Sequence, residues 1–170
     1  MSGFNFSRKF INLGPILILY YLSLSEIDSN FENYFKILSF NLQSIIIYFW
    51  VLKRPEVLGN GHIFFAGLIN DVVIGFPLGL SSISYLVISL VATYIKNMSV
   101  NTSLTSDWFS FFVALMCSTF IFCIIISYFS NIAFNATDIS YNIFFTLLFF
   151  PFLWFLFNFY NSYITSSRNV

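Results

Sequence analysis

Long apolar runs that carry almost no charge leave this chain few places to fold. They cover residues 10–24, 34–52, 63–95, 108–129 and 139–160, and Asp71 is the only acid inside them. A bilayer core of about 30 Å is crossed by roughly 20 apolar residues of helix. Inside lipid every backbone N–H and C=O must be satisfied within the protein, which a helix does for itself. The pattern therefore predicts an all-α polytopic membrane protein in one transmembrane domain over residues 1–170. Composition agrees. The 170 residues are 58% hydrophobic and 8% charged, against roughly 25% charged in an average soluble domain. Seven Lys/Arg balance seven Asp/Glu, which excludes a basic nucleic-acid footprint. The expected partner from composition is the lipid bilayer, and no nucleic acid.

The 63–95 stretch is 33 residues long, too long for one straight crossing. Gly75-Phe76-Pro77-Leu78-Gly79 interrupts it. Proline lacks an N–H and clashes with a continuing helix, and the flanking glycines favour a turn. The expected fold is thus a bundle of six helices at about residues 10–25, 34–52, 63–76, 80–95, 108–129 and 139–160. The two central ones are short. Lys and Arg prefer the cytoplasmic side of short loops. With six crossings and a cytoplasmic N-terminus, Arg8, Lys9, Lys53, Arg54, Lys96 and Arg168 fall inside and Lys36 outside. With five crossings, Lys96 and Arg168 move outside and the asymmetry nearly vanishes. Both termini are therefore expected in the cytoplasm. A re-entrant hairpin over residues 63–95 satisfies the same count and differs only in leaving residues 75–79 at mid-depth.

Residues 1–25 resemble a signal peptide, but Ser25-Glu26-Ile27-Asp28 follows in place of a small-residue cleavage site, so they read as an uncleaved first span. Trp50, Trp108 and Tyr160 sit near expected span ends, where such rings anchor at the interface. Residues 97–107 read as a polar cytoplasmic loop. Pro151 predicts a kink in the last span. Cys117 and Cys123 lie six residues apart on one helix and point about 120° away from each other, so they read as small apolar residues.

An Asp at a helix centre costs roughly 2.5–3.5 kcal/mol on insertion scales. The apolar residues of 63–76 return about the same in total at roughly 0.3–0.6 kcal/mol each. This helix is marginal in lipid alone and is expected to be held by its neighbours. Gly67, Asp71 and Gly75 recur every four residues and so share one face, where two glycines let another helix come close. Asp71 is either a polar clasp at a packing interface or a proton, ion or substrate site. The lack of a second intramembrane charge favours the clasp. Serines, or Asn41 and Gln43, are its possible partners. Lys53-Arg54-Pro55-Glu56 is a charged cytoplasmic turn, read equally as a topology signal and as a docking point at Lys53 and Arg54. His62 stands alone, without ligand-spaced neighbours. No phosphate loop, nucleophile elbow or metalloprotease motif occurs. The chain is expected to be no enzyme and to use no metal or cofactor.

The segment Gly67-Leu68-Ile69-Asn70-Asp71-Val72-Val73-Ile74-Gly75-Phe76-Pro77-Leu78-Gly79 resembles the MreD family of rod-shape-determining proteins. Those carry a Gly-Leu-x-x-Asp…Gly-x-Pro-Leu-Gly pattern at mid-chain and have a similar length without a soluble domain. The resemblance covers about residues 50–95. It implies a non-enzymatic scaffold in the bacterial inner membrane, with Gly67, Asp71, Gly75, Pro77 and Gly79 at a helix-packing or partner interface. It also implies association with a bitopic MreC-like protein, and through it with an MreB-like filament, RodA and a class B penicillin-binding protein. That family is similar in architecture to the six-helix substrate-binding subunits of energy-coupling-factor vitamin transporters. The alternative expectation is such a subunit, with Glu26, Asp28, Glu32 and residues 131–138 as polar groups near an outer pocket.

Overall fold

The computed structural model describes residues 3–25, 41–98, 103–129 and 136–166. They form α1 (Gly3–Leu24), α2 (Leu42–Lys53), α3 (Asn60–Ile74), α4 (Leu80–Met98), α5 (Leu104–Phe129) and α6 (Ala136–Ser166). No strand occurs among the described residues. α5 and α6 are each long and apolar enough to cross a membrane, and most of their side chains face outward. Phe109, Phe120, Phe152, Phe155 and Phe159 are all exposed. A soluble domain would bury that much aromatic surface.

The 63–95 stretch breaks where its proline and glycines stand. α3 ends at Ile74 and α4 starts at Leu80. Gly75 caps α3 with φ 81° and Gly79 has φ 97°. Both are left-handed, a region glycine enters without steric penalty. α4 packs against α2, α3 and α5.

α2 differs from its expected span. It begins at Leu42 and is 12 residues long, about 18 Å, which makes it shorter than α3 and α4. Asn41 sets its start, because its Oδ1 accepts from the Ser44 N–H at 2.9 Å and so caps the first turn. Residues 34–40 lie outside the described residues. Ser44, Leu52 and every residue between them are buried, as suits a helix that is apolar all round. Tyr48 meets the rings of Phe111 and Phe150, which stack on each other with centroids 4.5 Å apart. Trp50 is only 2% exposed and packs on Phe157 and Tyr160. It is therefore a core residue and no interface anchor.

The polar 97–107 segment is helical at both of its described ends. α4 runs to Met98, and α5 starts at Leu104 because Ser103 caps it, its Oγ accepting from the Ser106 N–H at 3.3 Å. Asp107 thus belongs to the first turn of α5 and is buried.

Pro151 sits within α6. A proline removes the donor that would serve the carbonyl four residues earlier, here Leu147. The Trp108 indole N–H of α5 donates to that carbonyl at 3.0 Å. Trp108, expected as an interface anchor, completes the backbone of its neighbour. Trp108→Phe is expected to cost about 1–3 kcal/mol, because the carbonyl is left unpaired. In a Pro151→Ala background the helix supplies its own donor and the same substitution should cost far less. A double-mutant cycle on unfolding in detergent reads the coupling. Equal costs in both backgrounds would remove this role from Trp108.

Candidate functional site

The residues singled out in sequence meet at the closed end of the α3–α4 hairpin. Asp71 is fully buried. Its Oδ2 accepts from the Gly79 N–H at 2.8 Å and its Oδ1 from the Ser81 N–H at 2.9 Å. Those amides belong to the start of α4, where four N–H groups lack helical partners and negative charge is favoured. Asp71 therefore caps α4 from the helix before it. Its own carbonyl accepts the N–H groups of Gly75 and Phe76, each at 2.9 Å, which ends α3. One residue closes both sides of the turn.

Gly67 supplies the close approach one turn earlier. A Cβ placed there would stand 2.4 Å from the Ser82 Cα and 2.6 Å from its N, so only glycine lets the two backbones meet. The Ser82 Oγ then donates to the Phe64 carbonyl at 2.9 Å. Gly67 and Asp71 do share one face, as the four-residue spacing predicts. Gly75 departs from it. It lies beyond the helix as the left-handed cap and is exposed, and a Cβ there would touch nothing. Pro77 sits in the connection, where its carbonyl accepts from the Leu80 N–H at 3.2 Å.

A polar seam continues inward from this clasp. Gln43 Nε2 donates to Asn70 Oδ1 and Asn70 Nδ2 donates to Ser81 Oγ, both at 3.1 Å. The Tyr85 hydroxyl donates to Gln43 Oε1. Further along, Ser89 Oγ donates to Asn60 Oδ1 at 2.8 Å. Gln43 therefore reaches Asn70 and not Asp71, while Asn41 caps α2. These polar groups tie α2, α3 and α4 together and satisfy one another, as buried polar groups must. Ser81 and Tyr85 are site residues that sequence reading did not single out. The available signal was an amide beside an acid in an otherwise apolar helix.

A second cluster lies at the far end of α2. Lys53 Nζ is 3.1 Å from Asp107 Oδ2, with the two side chains 13% and 2% exposed. The Trp154 indole N–H donates to the same oxygen at 2.9 Å, and Lys53 Nζ lies 5.8 Å from the centre of the Trp154 ring. Tyr48 and Ser110 share a hydroxyl–hydroxyl bond of 2.6 Å nearby. α2, α5 and α6 converge here. Of the two docking residues read from sequence, Lys53 is thus engaged inside the chain. Arg54 forms the C-cap of α2, its N–H donating to the Trp50 carbonyl at 2.7 Å.

His62 is exposed and meets the Tyr20 hydroxyl through Nδ1 at 3.3 Å. Among the described residues no three His, Cys, Asp or Glu side chains come together. Cys117 and Cys123 are free thiols on α5. A hollow of about 390 Å³ is lined by Phe120, Cys123, Ile124, Ser127 and Tyr128, all from α5, so among the described residues no second element converges on it. Glu26, Asp28, Glu32 and residues 131–135, the polar groups of the transporter alternative, lie outside the described residues. Asp138 is exposed in the first turn of α6. Compared with family models, curated proteins and solved structures, the chain gives no match.

Proposed function

We propose that this chain is a multi-pass scaffold subunit of the bacterial cell-wall elongation machinery, of the kind that the MreD family represents. In this reading it sits in the inner membrane with both termini in the cytoplasm and performs no catalysis. It binds an MreC-like bitopic protein and, through it, an MreB-like filament, RodA and a class B penicillin-binding protein. The observation that carries the reading is the clasp. Gly67, Asp71, Gly75, Pro77 and Gly79 each do a backbone job in closing one hairpin. The pattern encodes a shape, and each carboxylate oxygen of its one acid accepts a backbone amide. A proton or ion path would need titratable groups in series.

Packing also supports the six-crossing arrangement. The Lys53–Asp107 pair puts the end of α2 beside the start of α5, which suits an even number of passes between them. Phe76, at the tip of the hairpin, packs on Phe122. Phe122 is 14 residues beyond Trp108 on α5, about 21 Å along the helix axis. A re-entrant tip at mid-depth would meet α5 at about half the bilayer thickness, roughly 15 Å. The hairpin tip thus lies past mid-depth and short of the roughly 30 Å that a full crossing spans.

Affinity purification from native membranes in mild detergent tests the proposal. A bitopic partner with a periplasmic coiled coil is expected to co-purify. Co-purification of a pair of ATPases, together with thermal stabilisation by a vitamin, would replace this reading with the transporter subunit.

A further inference from the structure

The bundle does not present an equally thick apolar belt to lipid on all sides. On α5 the exposed residues from Trp108 to Tyr128 are almost all apolar, and they span about 30 Å, the thickness of an ordinary bilayer core. The α3 side is thinner. α3 does not begin level with the end of α4. Its first residue, Asn60, bonds to Ser89, seven residues before Lys96, so α3 starts about 10 Å further into the bundle than Lys96. The chain that climbs to this point, residues 54–59, is not helical, and Glu56, Gly59, Asn60, Gly61 and His62 are exposed.

Irregular backbone and charge exposed to hydrocarbon are not tolerated. Yet α5 exposes Phe109, Phe112 and Val113 at about this depth, since Lys53, just before the climb, pairs with Asp107 and Ser84 of α4 bonds to Ser118 of α5. One flat membrane surface cannot serve both sides. Polar groups from three helices lie at the raised level or just below it: the Tyr20 hydroxyl of α1 on His62, Asn60 of α3, and the exposed Thr93 of α4, one turn nearer Lys96 than Ser89.

We propose that the cytoplasmic headgroup layer, with its water, dips to the start of α3. It fills a notch lined by Tyr20, Asn60, His62 and Thr93, and the bilayer beside α3 is about 10 Å thinner there than beside α5. The partner of this surface is lipid headgroup. The proposal rests on the membrane reading above.

The test uses the full chain with Cys117 and Cys123 replaced by serine, reconstituted in dioleoyl phosphatidylcholine vesicles. Single cysteines are placed by Gly61→Cys and Val113→Cys, and a charged, membrane-impermeant maleimide is supplied on both faces. A Cβ at Gly61 meets nothing within 4 Å, so the variant keeps the fold, and His62→Cys is a second reporter at the same level. Cysteines at 61 and 62 should react roughly tenfold or more faster than the one at 113, because only hydrated sites give a reactive thiolate. If they react as slowly as the one at 113, the notch is refuted and the membrane reading stands. If all three react as fast as a free thiol, both fail.

Discussion

Replacing Asp71 with leucine is expected to unfasten the α3–α4 hairpin. The substitution removes two acceptors at once. It leaves the Gly79 and Ser81 amides unpaired at a buried helix start. Loss of a cap costs about 0.5–2 kcal/mol, and a buried unpaired donor costs about 1–3 kcal/mol. These overlap, so roughly 2–4 kcal/mol is expected in detergent unfolding. Asp71→Asn keeps one acceptor oxygen and should lose about half as much. Gains in lipid solubility from leucine do not offset this, because Asp71 is fully buried. A stability equal to that of the parent would mean that Asp71 does not hold the turn. If the chain is the proposed scaffold, the same variant should recover less of its partner on co-purification, in proportion to the fraction unfolded.

Lys53→Met is expected to be at least as damaging, for a different reason. Asp107 is 2% exposed and would keep only the Trp154 indole as a side-chain partner. Breaking one side of a buried pair costs about 3–5 kcal/mol, whereas replacing both partners with apolar groups is often neutral. The double variant Lys53→Met with Asp107→Leu should therefore regain most of the lost stability. Denaturant unfolding followed by tryptophan fluorescence, to which Trp154 contributes, reads the difference. A double variant as unstable as the single one would show that the pair is needed for more than charge balance.

Local chemistry was legible in the sequence and distant pairing was not. Pro77 between two glycines located the break in the 63–95 stretch, because proline and left-handed glycine act on their own backbone. Spacing placed Gly67 and Asp71 on one face, since four residues fix a helical turn. It misplaced Gly75, because the helix ends before it and the periodicity no longer applies. The early start of α5 was hidden by the polarity of residues 103–107, where Ser103 and Asp107 are cap and buried anion. Asp107 is recognised as buried only once Lys53 and Trp154, 54 and 47 positions away, are brought to it. Trp50 was misread for the same reason. An aromatic near the end of an apolar run looks identical whether it faces headgroups or Phe157. The bonds from Gln43 to Asn70 and from Trp108 to Leu147 cross between helices, and no periodicity records them.

Pro151 has a consequence for how the helices find their register. α5 and α6 meet through phenylalanines such as Phe111 and Phe150, and apolar contact of that kind carries little directional information. A single carbonyl on α6 lacks a donor from its own segment, and a single indole on α5 reaches it. Shifting α6 along its axis by one residue moves the carbonyl about 1.5 Å and turns it about a quarter of the way round the helix, out of reach. A proline that weakens α6 as an isolated rod thus gives the pair a second index mark beside the Trp154–Asp107 bond, and the two together select one alignment.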